Sequence, residues 1–508
     1  MVNPTRNNGC IQFSWEDLEL FSAASHDRNP LHVSASYARK TPYGEPVVFG
    51  VLAGLAAISC LKERQSHSLS KIDLEFRNPV YVGVRYSIDV RDNSDHQAAV
   101  RLYDSDRLTL KVGFEFRQDS KRPPTFETSG KAAQSEPSDH QSLFEKGFSV
   151  HGVYWPSTHH LHSLVRRFGL TDKGVLPSQL SALLWASYLV GMELPGKRAT
   201  FWRLSVAFGP NDDTPRSPFS YDATVEGFDQ RLNLLNIAAK LHWVGRIFAN
   251  VELLAFVRHH SPTSDFAAIG AIIPESERLK GKVGLVIGGS RGVGAAICQA
   301  LASQGCTVLL NYQMSQVEAE SVAESVQRAP GAIRLFQGDA TDPDWCAQAR
   351  TQIQQEYGGL DILICSACPP IRSLSFSLET VGRFQEFLSK SLALVSLPMA
   401  AFLNTISLKQ GWIVVLSSSA VQTHPAEWPH YVTAKFAIEG MVQWAAHQYR
   451  HTNFLLVRPP KLLTDQTNTP VGRTGALSVE ETASRLVARL CGPPSAEPVE
   501  TLEHFEVT

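Results

Sequence analysis

From Lys282 onward the chain repeats one pattern: a short, continuous apolar run, then a longer stretch with helical spacing. The runs are VGLVIGG, TVLLNY, IRLFQGD, LDILICSA, WIVVLSSS and NFLLVRPP. A strand that is apolar at every position, rather than at alternate ones, is buried on both faces. A parallel sheet covered by helices on both sides meets that demand, so this half is predicted to be an α/β, Rossmann-like parallel sheet. Nothing else in the sequence limits the fold as much.

The first run leads directly into GGSRGVG, Gly288 to Gly294, which opens the apolar helix AAICQALASQG. Glycines there let the backbone approach a pyrophosphate, and the helix N-terminus offers N–H groups to it. The position between a strand and a helix is the context such a turn needs. An acid usually closes the second strand of an NAD site. Here Asn311 stands in TVLLNY and no acid follows until Glu318, while Arg291 in the turn can pair with a 2′-phosphate. Both point to NADPH. Further on, SSAVQTHPAEWPHYVTAK carries Ser418, then Tyr431 thirteen residues later, then Lys435 four after that. On a helix Tyr431 and Lys435 share a face one turn apart. The ammonium lowers the phenol pKa, so the tyrosine can act as acid or base, and the serine hydroxyl can hold a substrate oxygen beside it.

These features together resemble the short-chain dehydrogenase/reductase family, the β-ketoacyl reductase type in particular, over roughly residues 279–508. The resemblance implies cofactor contacts from Gly288, Ser290, Arg291, Gly292, Val293, Gly294, Asn311, Asp339, Ala340, Ala367, Tyr431, Lys435 and Pro459. It implies Tyr431 as the acid, Ser418 as carbonyl holder, and Lys435 as ribose ligand and pKa modulator. The chain departs from the family pattern at Cys365-Ser366-Ala367-Cys368 for Asn-Asn-Ala-Gly, at Ser391 for the relay asparagine, at Pro459-Pro460 for Pro-Gly, and in lacking the Val-Asp-Gly-Gly ending. Cys365 and Cys368 read as small buried replacements for polar side chains.

The first half reads differently. SWEDLELFSAAS has a helix start signal, and VVFGVLAGLAAISCL is a helix apolar enough to be buried. LEFRNPVYVGVRYSIDV, AAVRLY and LTLKVGFEF follow as strands. After a polar, Pro- and Ser-rich linker at residues 118–143, the order partly repeats. LPSQLSALLWASYLVGMEL is a helix, and RATFWRLSVAFG, SYDATVEGFD, LNLLNIAAKLHW and IFANVELLAFVR are strands. A second linker, HHSPTSDFAAIGAIIPESERLKG, precedes Lys282. A buried helix followed by antiparallel strands suggests an α+β unit in which a sheet wraps one helix. In SHDRNPLHVS, Asp27 precedes His32 by five positions, and Asn29-Pro30 favours a turn that brings acid and imidazole onto one water.

This region, about residues 12–117, resembles the hotdog-fold (R)-specific enoyl hydratase/dehydratase family (MaoC-like). The resemblance implies Asp27 and His32 as the catalytic pair and Gly50 as the residue whose N–H holds the thioester oxygen, with Phe49 in place of the family's histidine. The second unit has no such pair and reads as a degenerate second hotdog. The expected domains are residues 1–130, 144–262 and 279–508, an α+β double hotdog ahead of the α/β domain.

Forty-seven basic against 49 acidic residues give no bias toward nucleic acid. The start, MVNPTRNNGC, lacks the apolar core of a signal peptide, and no run of about eighteen apolar residues suggests a membrane span. Eight cysteines in 508 residues do not make a disulfide framework, so a cytoplasmic setting is expected. No metal site is expected: the histidines of HGVYWPSTHHLH have no carboxylate or cysteine at ligand spacing. The expected activity is paired. A 3-ketoacyl thioester is reduced with NADPH and the (R)-3-hydroxyacyl product is dehydrated, in fatty-acid or polyketide-type chain building. The acyl group rides on an acyl carrier protein or coenzyme A, and the chain is expected to form a homo-oligomer. The alternatives are a ketoreductase with a hotdog scaffold or carrier-docking module, and a dehydratase with a non-catalytic nucleotide-binding domain.

Overall fold

The computed structural model describes residues 9–118, 136–139, 144–210, 218–503 and 505. It separates into two compact units, Met1–His260 and Ser261–Thr508.

In the first unit the helix Trp15–Ser25 begins with a reciprocal cap. The Ser14 hydroxyl accepts from the Asp17 N–H, and the Asp17 carboxylate accepts from the Ser14 N–H. The helix Gly50–Ser59 is buried from Val51 through Ile58, as its all-apolar composition requires. Around it runs one antiparallel sheet of ten strands: β1 Cys10–Gln12, β2 His67–Phe76, β3 Arg85–Arg91, β4 Gln97–Asp104, β5 Arg107–Gln118, β6 Ser149–Tyr154, β7 Ala199–Phe208, β8 Phe219–Asp229, β9 Leu234–Trp243 and β10 Arg246–Val257. Their order is β1-β3-β4-β5-β2-β7-β10-β9-β8-β6. Reading outward from the centre, the two halves match strand for strand. They join through β2 and β7, antiparallel, with Asp73 opposite Ser205. The repeat in element order is thus a repeat in space.

Three expectations need correction here. Residues 1–130 and 144–262 are not two separate domains. They are halves of one sheet over one continuous apolar core, because β2 and β7 use each other's edges. The run LEFRNPVYVGVRYSIDV breaks at Asn78-Pro79 into β2 and β3, since proline cannot donate to a ladder. The segment 259–281 is only partly linker. Phe266–Ile272 is a helix capped by Asp265, and Ile269, Ile273 and Leu279 are buried in the core of the second unit. The linker expected at residues 118–143 lies largely outside the described residues. Within it, Ser138 hydrogen-bonds to the Met192 carbonyl and accepts from the Lys197 N–H.

The second unit is a seven-stranded sheet, parallel throughout: β11 Val283–Ile287, β12 Thr307–Tyr312, β13 Ala332–Gln337, β14 Ile362–Cys365, β15 Trp412–Leu416, β16 Asn453–Val457 and β17 Val499–Leu502. The order is β13-β12-β11-β14-β15-β16-β17. The winding direction reverses between β11 and β14, which opens a crevice at the C-terminal ends of those strands. Strand β17 was not foreseen in the sequence. Among the described residues one helix, Val381–Leu408, is long and apolar enough to cross a membrane. Its buried residues Phe387, Ser391, Val395, Met399, Phe402 and Ile406 recur every three or four positions. From Val395 on they share a core with sheet residues such as Leu363 and Ile413.

Candidate active sites

The glycine turn after β11 lies in the crevice. Gly294 and Gly288 leave no room for a side chain. A Cβ on Gly294 would stand 2.1 Å from the Gly288 carbonyl oxygen, and one on Gly288 would stand 2.8 Å from Ala367. Gly292 has φ +54°, a conformation that favours glycine. The helix Gly292–Ser303 then starts with Arg291 as N-cap and no side-chain cap, so its first N–H groups face the crevice without a side-chain acceptor. A bare helix start against backbone packed this closely fits a dinucleotide pyrophosphate.

The other predicted cofactor residues lie at the same edge of the sheet. Ser290 belongs to the turn, and Val293 to the start of the helix Gly292–Ser303. Asn311 is the last but one residue of β12, but its amide donates to the Phe336 and Gly338 carbonyls, so it ties strand ends together. Asp339 follows β13 and accepts from Thr341 and Gln313, and the adjoining Ala340 is buried. Ala367 follows β14 and Pro459 follows β16. Arg291 is not free: its Nη1 donates to Asp465 Oδ2 at 2.7 Å. Thr464 and Asp465 were not foreseen. The Thr464 methyl lies 3.5 Å from where a Gly292 Cβ would be. Their signal was a short polar TDQT after the last long apolar run.

Ser418 lies in the loop after β15, and Tyr431 and Lys435 lie on the helix Pro429–Gln448. The Lys435 ammonium stands 5.5 Å from the Tyr431 ring centroid and donates to the Leu416 carbonyl at 2.7 Å. The Ser418 hydroxyl engages the phenol. The phenol pKa differs from the sequence expectation. Burial pushes it up and outweighs the Lys435 charge and the Ser418 hydrogen bond that pull it down, with Cys368 adding to the rise. Tyr431 is therefore held protonated, as a proton donor must be. Ser391 is buried, and among the described residues its hydroxyl has no hydrogen-bond partner. Cys365 is buried as expected, whereas Cys368 is exposed, and both are free thiols.

In the first unit a cavity of about 420 Å³ gathers Asp27, His32 and Gly50. Asp27 follows the end of the helix Trp15–Ser25, and His32 lies on the short helix Pro30–Val33. That helix begins where the Asn29 side chain accepts from the Leu31 N–H. His32 Nδ1 donates to the Val47 carbonyl at 2.7 Å, which leaves Nε2 as the basic nitrogen. Its ring stacks on Phe49 at 4.0 Å. Burial lowers the His32 pKa to about 4 and raises that of Asp27 to about 7. Gly50 opens the central helix without a side-chain cap.

The second half, expected to be degenerate, builds part of this site. Ser187 Oγ donates to Asp27 Oδ2 at 2.7 Å. A Cβ on Gly191 would stand 2.3 Å from Asp27 Oδ1. Thr200, Phe201, Trp202 and Phe256 line the same cavity. Nothing local to the sequence around Ser187 marks it, since it lies near the end of the apolar helix Pro177–Tyr188. Among the described residues no group of three or more His, Cys, Asp or Glu is placed to hold a metal.

Comparison with known proteins finds matches for both parts of the chain. Residues 282–471 match the short chain dehydrogenase family and residues 4–102 match the MaoC like domain. "Uncharacterized oxidoreductase Rv1543" of Mycobacterium tuberculosis is 30% identical over 199 residues, 37% of this chain and 58% of that protein. The chain thus spans little more than half the length of that relative. The short-chain dehydrogenase/reductase FrzI of a Cladobotryum species is 31% identical over 179 residues, 34% of this chain and 67% of that one. A crystal structure of a short chain dehydrogenase from Burkholderia cenocepacia in complex with NADP is 28% identical, with a TM-score of 0.41, covering 44% of this chain and 98% of that one. This chain belongs, through its C-terminal part, to the short-chain dehydrogenase/reductase family, joined behind an N-terminal MaoC-like domain.

Proposed function

We propose that this chain catalyses two consecutive reactions on one acyl thioester. The second unit reduces a 3-ketoacyl group to the (R)-3-hydroxyacyl compound with NADPH, and the first unit, a double hotdog, dehydrates it to the trans-2-enoyl product. The observation that carries this reading is the single cavity that unites Asp27, His32 and Gly50, in a chain that also carries Ser418, Tyr431 and Lys435 around one crevice. The product of one half has the chemistry the other half consumes.

Bound along Gly288–Gly294, the dinucleotide supplies the hydride. Arg291 at that turn, and the lack of an acid closing β12, favour NADPH over NADH. Tyr431, protonated, gives its proton to the ketone oxygen, Ser418 holds that oxygen, and the Lys435 charge stabilises the phenolate that forms. In the first unit His32 Nε2 takes the C2 proton. Asp27, carrying a proton up to about pH 7, gives it to the C3 hydroxyl. The C3–O bond breaks, water leaves, and the C2–C3 double bond forms. The Gly50 N–H, at a helix start, steadies the charge that gathers on the thioester oxygen. The acyl group is carried by coenzyme A or an acyl carrier protein, and the chain works as a homo-oligomer.

The test is mass spectrometry of the full chain with NADPH and a 3-ketoacyl thioester. An enoyl thioester is expected. Accumulation of the hydroxyacyl thioester would leave the first unit a scaffold. Unchanged ketone, with an added enoyl thioester still hydrated, would leave the second unit a nucleotide-binding module without turnover.

A further inference from the structure

We propose that Asp465 competes with the cofactor's 2′-phosphate for Arg291, and so limits how strongly this chain prefers NADPH over NADH. This rests on the reading of Arg291 as the 2′-phosphate ligand.

Arg291 stands at the start of the helix Gly292–Ser303, where the cofactor's phosphates are expected. Its guanidinium is already paired, with Nη1 to Asp465 Oδ2 at 2.7 Å. Asp465 is only 16% exposed at its side chain and Arg291 28%, so water screens the pair less than a surface pair. The segment carrying Asp465 is fastened to the crevice at several points. Ser261 donates to the other Asp465 oxygen. Thr464 lies on Gly292, and its N–H donates to Thr467 Oγ1 at 3.0 Å. Gln466 Nε2 donates to the Ile371 carbonyl at 3.0 Å, in the segment after β14. Asp465 is therefore held beside Arg291 by its own surroundings and does not reach it by chance.

Two anions cannot both take the same guanidinium edge at full strength. A 2′-phosphate must displace the Asp465 carboxylate and then lie near its charge, and both effects weaken NADPH binding. NADH has no 2′-phosphate, so it leaves the Arg291–Asp465 pair intact. Replacing Asp465 by a neutral side chain that keeps a polar end should remove the competitor without emptying the position.

The experiment is equilibrium titration of the full chain with NADPH and with NADH, read by cofactor fluorescence and by calorimetry, without substrate. Asp465→Asn should tighten NADPH by roughly three- to tenfold, the scale of a partly exposed charge pair, and leave NADH unchanged. Asp465→Ser, checked for the parent melting temperature, should do the same. In Arg291→Ala the Asp465→Asn change should have no further effect on NADPH. Unchanged or weaker NADPH binding in both Asp465 variants would overturn the proposal, because Asp465 would then only position Arg291. Equal tightening of both cofactors would overturn it too, since the segment would then act as a lid for any dinucleotide. If Arg291→Ala weakens NADPH and NADH alike, the reading of Arg291 itself fails, and that result is distinct from the Asp465 outcomes.

Discussion

Asp27 and His32 share one cavity, and burial moves them in opposite directions, Asp27 up to about 7 and His32 down to about 4. Between those values the pair is a protonated acid beside a neutral base, the combination dehydration needs. Dehydration should thus follow a bell-shaped pH profile with limbs near 4 and near 7, measured as enoyl formation across pH. Ser187 favours the ionised carboxylate by donating to it, so Ser187→Ala should move the upper limb to higher pH. A profile that does not move would show that Ser187 only packs there. Stability follows the same shifts. Asp27 has a raised folded pKa, so its stabilising contribution is fully present below its ordinary value of 3.8 and is lost as pH rises through about 7. His32, with a lowered one, destabilises as pH falls from 6.5 through about 4. Above pH 6.5 only the Asp27 charge is left to act. Asp27→Asn should therefore raise stability more at pH 8 than at pH 5, by roughly 2–3 kcal/mol, in denaturant titrations at the two pH values.

At the scale of elements, both sites depend on glycines that let backbone come close. Gly191 lies in the wide helical turn Leu189–Glu193 that follows the helix Pro177–Tyr188, and an added methyl there would meet the Asp27 carboxylate. Gly191→Ala should cut enoyl formation by at least about 10²-fold while ketone reduction is kept, because the methyl forces out one acid–base group. Retained dehydration in that variant would mean the helix end yields freely. Much of the element structure was legible. Ser14 with Asp17 marked a helix start, and the apolar run at Gly50–Ser59 marked a buried helix. The helix Phe266–Ile272 was hidden by flanking Pro, Ser and charged residues, although Phe266, Ile269 and Ile273 already had helical spacing. The break between β2 and β3 is marked by Asn78-Pro79 but masked by the apolar pattern, which resumes at once.

For the whole molecule, the two chemistries should separate by single substitutions in the full chain. Tyr431→Phe keeps the ring and removes the proton donor, so reduction should collapse while NADPH binding survives in a titration. Asp27→Asn should leave reduction intact and accumulate the 3-hydroxyacyl thioester, followed by mass spectrometry; enoyl product at the parent rate would remove Asp27 from the mechanism. The sequence by itself determined the parallel sheet, the glycine turn, the Ser418–Tyr431–Lys435 spacing and the Asp27–His32 pair. Those features are local, and strand burial, turn chemistry and helix periodicity write them into consecutive residues. Tertiary structure alone decided that the two halves of the first unit share one sheet through β2 and β7, and that Ser187 and Gly191 from the far half meet Asp27. It also decided that Arg291 is engaged by Asp465, and that burial outweighs Lys435 at Tyr431. Each of these joins residues distant in the chain, or depends on how much water a group has lost. Neither the partner nor the lost water is encoded in the spacing of neighbouring residues.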